Sequence, residues 1–288
     1  MGIVVIFIMY MLQAFVDKSA SKYTKGSSGT IGYGLVKNSI SAIIALCVAV
    51  IGGMALPTSS AILISLLAGI SQAICTVFIL LALQKYSIMQ VNLFMTASIL
   101  VPTICGMFLF SEEFTIIKAL LIVVIILSSG LILGINKLSD LKMGGKNFIL
   151  LIIVWLFYGA IMLAQKMYAK YIPDGNSADF SFYMYTSSCF TLAIMSLIMK
   201  IKNGKKRVLS FPRGKLLYLC IVAAVIVFIM NQTLTELSAS MPSYILFPLT
   251  NGGKLVFVLI ISALVFKEKP TKKMIAGCLL MITSVLLL

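Results

Sequence analysis

An all-α polytopic membrane fold, ten transmembrane helices in two inverted five-helix repeats, is what this sequence predicts, and three observations carry the prediction. The 288 residues are 61% hydrophobic and only 11% charged, with a mean hydropathy of +1.11, far outside the range of a soluble globular domain. The apolar residues fall in runs of about 18 to 24, the length that carries a helix across ~30 Å of hydrocarbon. Barrel strands would alternate in polarity over ~10 residues, and no segment does so. Self-similarity at two fixed offsets then divides the ten runs into two sets of five.

In chain order the predicted spans are 3–21, 31–52, 61–83, 88–110, 116–135, 147–166, 179–199, 216–237, 243–266 and 272–288. The first has no basic residues before it and no small-residue cleavage site after it, so it reads as a retained helix. Turn signals mark the breaks: Gly26-Ser-Ser-Gly29, Gly52-Gly53 up to Pro57, Gly144-Gly145, Pro173-Asp-Gly175, Pro212-Arg-Gly214 and Met241-Pro242. The longest polar stretch, Lys200 to Lys215, has 16 residues, too few for a soluble domain. The six cysteines, Cys47, Cys75, Cys105, Cys189, Cys220 and Cys278, all lie in apolar runs without metal-ligand spacing, which points to packing.

Charge gives an orientation. Of the 23 Lys and Arg residues, 18 lie in or beside the odd-numbered loops, while Lys118, Lys166 and Lys170 border even loops that also hold Glu112, Glu113, Asp174 and Asp179. The positive-inside rule places loops 1, 3, 5, 7 and 9 in the cytoplasm of a plasma-membrane protein and both termini outside. The net charge of +15 interleaves with no aromatic platform, so it reads as a topology signal, with no nucleic-acid partner. The remaining two lysines, Lys37 and Lys254, fall within spans.

At an offset of 156, "LFSEEFT" (109–115) lies on "VFKEKPT" (265–271), carrying spans 3, 4 and 5 onto 8, 9 and 10. At an offset of 148, "DKSASKY" (17–23) lies on "QKMYAKY" (165–171), and Tyr10 falls on Tyr158. The basic loop 7 absorbs the difference. A unit of five helices is odd, so its second copy enters the membrane from the opposite side. The halves are predicted as 1–140 and 141–288, with a substrate site near the midplane between them.

Ten spans in two halves, each with a short "FxE(E/K)x(T)" loop before its last helix, resemble the drug/metabolite transporter superfamily, specifically its EamA-like family. "MFLFSEEFTIIKALLIVVIILSSGLIL" and "ALVFKEKPTKKMIAGCLLMITSVLLL" carry the likeness. The resemblance implies a transporter of small metabolites, with spans 1 to 4 and 6 to 9 around a central cavity and spans 5 and 10 packed together. Gly130-xxx-Gly134 and Gly277 suit that last contact, because small residues let membrane helices approach closely.

Lys254 lies about 11 residues into span 9, roughly 16 Å from its start at 1.5 Å per residue, too deep for a terminal anchor. A lysine at a helix centre costs about 2.5 to 3.5 kcal/mol on insertion scales, so something must compensate. Asn251-Gly252-Gly253 lowers helix propensity just before it and Pro248 cannot donate to the ladder, which predicts a break there with free N–H groups beside the ammonium. Both features favour an anion. The triose-phosphate translocator branch resembles this arrangement through basic residues on its ninth helix; here Lys254 alone matches, beside Leu255.

Further candidates are Lys37 near the cytoplasmic end of span 2, and Asn231 with Gln232 past the centre of span 8. Tyr10 and Gln13 on span 1 and Trp155 and Tyr158 on span 6 read as two cavity walls, and Tyr185 as an outer-interface residue partly facing the cavity. The sequence has no histidine, and no Asp or Glu is expected near the middle of a span. The small multidrug resistance proteins, similar cousins with a mid-helix Glu on their first helix, therefore differ here, where Tyr10 and Gln13 hold the comparable depth. No paired carboxylates, metal-ligand cluster or phosphate-binding Gly-rich loop appears, so neither an intramembrane hydrolase nor an ATP-driven pump is expected, and no cofactor.

The function expected is secondary transport, by export or exchange, of a small anionic or zwitterionic metabolite through alternating access. Its partners are that metabolite and the lipid bilayer, and oligomeric state is left open. The alternatives are a multidrug exporter of lipophilic cations, or a non-transporting receptor or assembly protein.

Overall fold

A computed structural model describes residues 2–24, 26–54, 56–86, 88–110, 115–132, 148–203, 209–265 and 271–287, with the side chains of 88, 89, 202, 203 and 257–265 not described. The helices are α1 Gly2–Tyr23, α2 Gly26–Ile51, α3 Ser59–Lys85, α4 Ile88–Ala97, α5 Leu100–Phe110, α6 Ile116–Ile132, α7 Phe148–Tyr171, α8 Ser177–Asn203, α9 Lys215–Ser240, α10 Ser243–Val265 and α11 Lys272–Leu286. Among the described residues seven segments are long and apolar enough to cross a bilayer: α1, α2, α3, Gln90–Phe110, α7, Ser177–Ile201 and α9. The helices α6 and α11 are shorter there, with 17 and 15 residues.

Polarity is distributed inside out. Ile51, Phe108, Ile116, Ile201 and Leu286 are among the apolar side chains turned outward, while Lys37, Asn38, Gln165, Asn231, Asn251 and Lys254 are buried. In lipid this is the expected arrangement, because hydrocarbon accepts the apolar faces and polar groups find partners only within the bundle. The chain is a multi-pass membrane protein.

The bundle is built on a few long contacts. Helix α3 packs along α7 and α8, α2 along α8 and α9, α1 along α9 and α10, and α6 along α11. The α6–α11 contact expected of the last span in each half is present: a Cβ on Gly277 would meet Leu131 Cβ at 2.8 Å and the Ser128 carbonyl at 3.0 Å. Gly130 has no such neighbour within 4 Å, so on the α6 side Ser128 and Leu131 make the approach. Gly134, the loop residues 111–114 and 266–270, and the basic segments 133–147 and 204–208 lie outside the described residues.

Two lysines explain part of the internal likeness. Lys166 Nζ donates to the carbonyls of Ser238 (3.0 Å) and Met241 (2.7 Å) where α9 ends, and Lys18 Nζ donates to Leu83 O (3.4 Å) near the end of α3. A helix C-terminus carries unpaired carbonyls and a partial negative charge that a lysine satisfies. The repeated Lys in "DKSASKY" and "QKMYAKY" therefore performs the same local task twice.

The predicted fourth span is interrupted. Between α4 and α5 the chain turns at Ser98-Ile99, with Ile99 N–H bonding Thr96 O and Val101 N–H bonding Ser98 O. Pro102 has no N–H to return to the Ser98 carbonyl four residues earlier, so the ladder tightens to i→i+3 bonds there. Helix α7 closes on this turn: a Cβ on Gly159 would meet Val101 Cβ at 2.6 Å and Ser98 O at 2.8 Å. Trp155 Nε1 donates to Ala97 O at 3.1 Å.

Candidate functional site

Tyr10, Gln13 and Asp17 stand at i, i+3 and i+7 on α1, and helical periodicity puts all three on one face. That face divides two small polar cavities. One, of about 30 Å³, lies between α1, α2, α3, α7 and α9 and also takes in Lys37, Tyr158, Gln165 and Asn231. The other, of about 30 Å³, lies between α1, α3, α4 and α10 and takes in Asn92 and Lys254. Each holds roughly one water, too little room for a metabolite in this conformation.

Lys254 is buried, 4% exposed. Its ammonium lies 4.7 Å from the centroid of the Tyr10 ring and 5.7 Å from that of Tyr158, and it donates to Asn251 Oδ1 at 3.4 Å. Aromatic faces attract a cation through their quadrupole, worth about 2 kcal/mol when desolvated. That is weaker compensation than a carboxylate, and none is found within ion-pair distance of Lys254 among the described residues. The two rings bring α1 and α7 against the lysine of α10.

Lys37 is also 4% exposed. It donates to Thr76 Oγ1 at 3.1 Å and shares the first cavity with Gln13 and the Asp17 carboxylate. The cavity group therefore holds two ammoniums and one carboxylate. On the far side Asn231 Nδ2 donates to the Tyr185 hydroxyl (2.8 Å), Gln165 Nε2 donates to Asn231 Oδ1 (3.1 Å), and Tyr185 donates to Val227 O (3.1 Å). Gln165 Oε1 has no hydrogen-bond partner although it is buried.

Residues 146–288 match the EamA-like transporter family. The chain belongs, through this half, to the EamA-like family. That family lies in the drug/metabolite transporter superfamily and consists of membrane transporters, not enzymes. Among solved structures 28 chains match. One, described only as "Crystal structure of protein", is similar with a TM-score of 0.69 and 13% identity over 99% of this chain and 96% of that one, a likeness of fold. None of the curated proteins matches.

In this EamA-like chain the structure brings Tyr10, Gln13, Lys37, Tyr158, Asn231 and Lys254 to the cavities, with Asn251 in contact with Lys254. Tyr185 stands one layer back and orients Asn231. Trp155 instead serves the α4–α5 turn. Gln232 is bonded to Ser177, Ser181 and Glu236 on a separate face of α8 and α9.

One expectation is corrected and one residue is added. The break at 251–253 is absent, since α10 is continuous from Ser243 to Val265. A Cβ on Gly252 would meet Met281 Sδ at 2.7 Å, and one on Gly253 would meet the Phe7 ring at 2.5 Å. These glycines admit neighbouring helices and leave no free N–H groups. Asp17, which was not among the expected site residues, lies toward the end of α1 and lines both cavities. Its signal was the i+7 spacing from Tyr10. Gln165 was legible the same way, seven residues beyond Tyr158.

Proposed function

We propose that this protein is a secondary transporter of a small anionic or zwitterionic metabolite, working by alternating access between two inverted five-helix halves, 1–140 and 141–288. The observation that carries the substrate class is Lys254: a buried ammonium held by two tyrosine rings and an amide, with no carboxylate at ion-pair distance among the described residues. Such a charge is costly in a bilayer unless a ligand completes it. An anionic group on Lys254 would sit between α1, α7 and α10, with Gln13, Asn92 and Asn231 selecting shape. The small cavities favour alternation, since cargo needs more than the 30 Å³ of either and the helices must part to admit it.

Matched contacts support the inverted halves. Helix α1 pairs with α9 as α7 pairs with α3, and α6 pairs with α11. Residues 148 apart, Tyr10 with Tyr158 and Asp17 with Gln165, face the same cavity. The plasma membrane, with odd-numbered loops in the cytoplasm, remains the location that charge favours. One observation favours a lipophilic-cation exporter, the Asp17 carboxylate among tyrosines, but two buried lysines outnumber it.

The test is flux in proteoliposomes containing the full chain. Radiolabelled mono- and dicarboxylates, sugar phosphates and amino acids should include a cargo whose uptake is lost in Lys254→Ala. Transport of lipophilic cations that is indifferent to Lys254→Ala, with no anion flux, would refute the proposal.

A further inference from the structure

Two ammoniums and one carboxylate share the cavities along α1: Asp17 lines both, Lys37 the first and Lys254 the second. The contacts of Lys254 are with neutral groups, the Tyr10 and Tyr158 rings and the Asn251 amide. With Asp17 ionised the cavity group carries one net positive charge; with Asp17 protonated it carries two. Resting on the anion-anchor reading of Lys254, we propose that Asp17 is the proton-coupling group: a monoanion binds without a proton, and a dianion binds together with one proton on the Asp17 carboxylate.

The geometry supports this. Asp17 lines both cavities, so it faces Lys37 across one and shares the other with Lys254. A monoanion on Lys254 brings the group to neutrality. The second charge of a dianion would face the Asp17 carboxylate in a site of low polarity, where like charges repel strongly. Taking one proton from solution onto an Asp17 oxygen removes that repulsion and frees Lys37 for the second charge, again reaching neutrality. No bond other than that O–H forms or breaks, and Lys37 and Lys254 keep their protons. The other titratable groups facing this system are Tyr10 on α1, Tyr33 on α2, Cys75 on α3, Tyr158 on α7 and Cys220 on α9. Thiols and phenols are intrinsically much weaker acids than a carboxylic acid, which leaves Asp17 as the carboxylate of the group.

The experiment uses purified full-length protein, with lactate as the monoanion probe and succinate as the dianion probe, and records binding and proton uptake between pH 7 and 9. Lactate should bind without proton uptake. Succinate should take up about one proton, and its affinity relative to lactate should fall about tenfold per pH unit at the alkaline end, by linkage. In Asp17→Asn the uptake should vanish and succinate should bind at least about tenfold tighter relative to lactate at pH 8. Asp17→Glu should keep the uptake, and the wild-type measurement decides by itself if Asp17→Asn does not fold. Anion binding that needs Lys254 yet shows equal proton uptake for both probes overturns this inference alone. Binding of both probes that survives Lys254→Ala overturns the anchor reading, and no binding of either probe overturns both.

Discussion

Two walls of the central cavity stand at corresponding positions and differ in chemistry. On one side α1, α2 and α10 present Asp17, Lys37 and Lys254 to the cavities; at offsets of 148 and 156 their counterparts are Gln165, which lines one cavity, Tyr185, one layer back behind Asn231, and Ser98 at the α4–α5 turn. Both walls use a tyrosine, Tyr10 or Tyr158, and both meet at the Lys254 ammonium. The difference separates two tasks. Charge is confined to the wall with the continuous α10, while the neutral wall contains the interrupted α4–α5 helix and closes on it through Gly159 and Trp155. On the proposed reading the charged wall would select the cargo, while the other contains the backbone discontinuity between α4 and α5.

The largest effect should come from unbalancing the charged wall. Asp17→Leu leaves Lys37 as a buried uncompensated charge and should destabilise the protein by about 3–5 kcal/mol. Adding Lys37→Met should recover most of that loss, as thermal unfolding in detergent would record. A double variant no more stable than the single one would mean the two charges are not coupled.

A smaller effect distinguishes the glycines of the two walls. Gly159→Ala forces a methyl against the Ser98 carbonyl and Val101, and should cost about 1–3 kcal/mol as overpacking. In Gly253→Ala the obstacle is the tip of the Phe7 ring, which can move, so a smaller loss of melting temperature is expected. Equal losses would argue against the tight α7 approach. Trp155→Phe removes one hydrogen bond at the turn and should cost about 0.5–1.5 kcal/mol. Tyr10→Leu takes one aromatic face from Lys254 and is expected to weaken cargo binding by about 0.5–2 kcal/mol, measured as a change in Kd.

What could be read from the sequence follows from these same residues. Lys254 was legible because its depth in an apolar run is independent of packing. Tyr10, Gln13 and Tyr158 were legible as polar groups at equivalent depths. Asp17 was missed because it sits beside Lys18 near the expected helix end and reads as part of a loop boundary, yet α1 continues to Tyr23 and turns it inward. The helix break was assigned to the wrong half because local propensity was weighed without neighbours. Gly252 and Gly253 are consumed by contacts with Met281 and Phe7, whereas the true break depends on Pro102 and on the α7 residues that stabilise the turn. Trp155 shows the same limit, since its partner is a carbonyl exposed only by that break.

The most direct test of the central claim, that Lys254 is the anion anchor, is ligand-induced thermal stabilisation of the purified protein across amino acids, organic acids, sugar phosphates and nucleotides, in parallel with Lys254→Ala. A ligand present at one hundred times its Kd stabilises by about 2.7 kcal/mol, a readily detected shift. The account predicts that anionic or zwitterionic ligands stabilise the wild type and that this stabilisation disappears in Lys254→Ala. Stabilisation that persists in the variant, or that is confined to lipophilic cations, would contradict it.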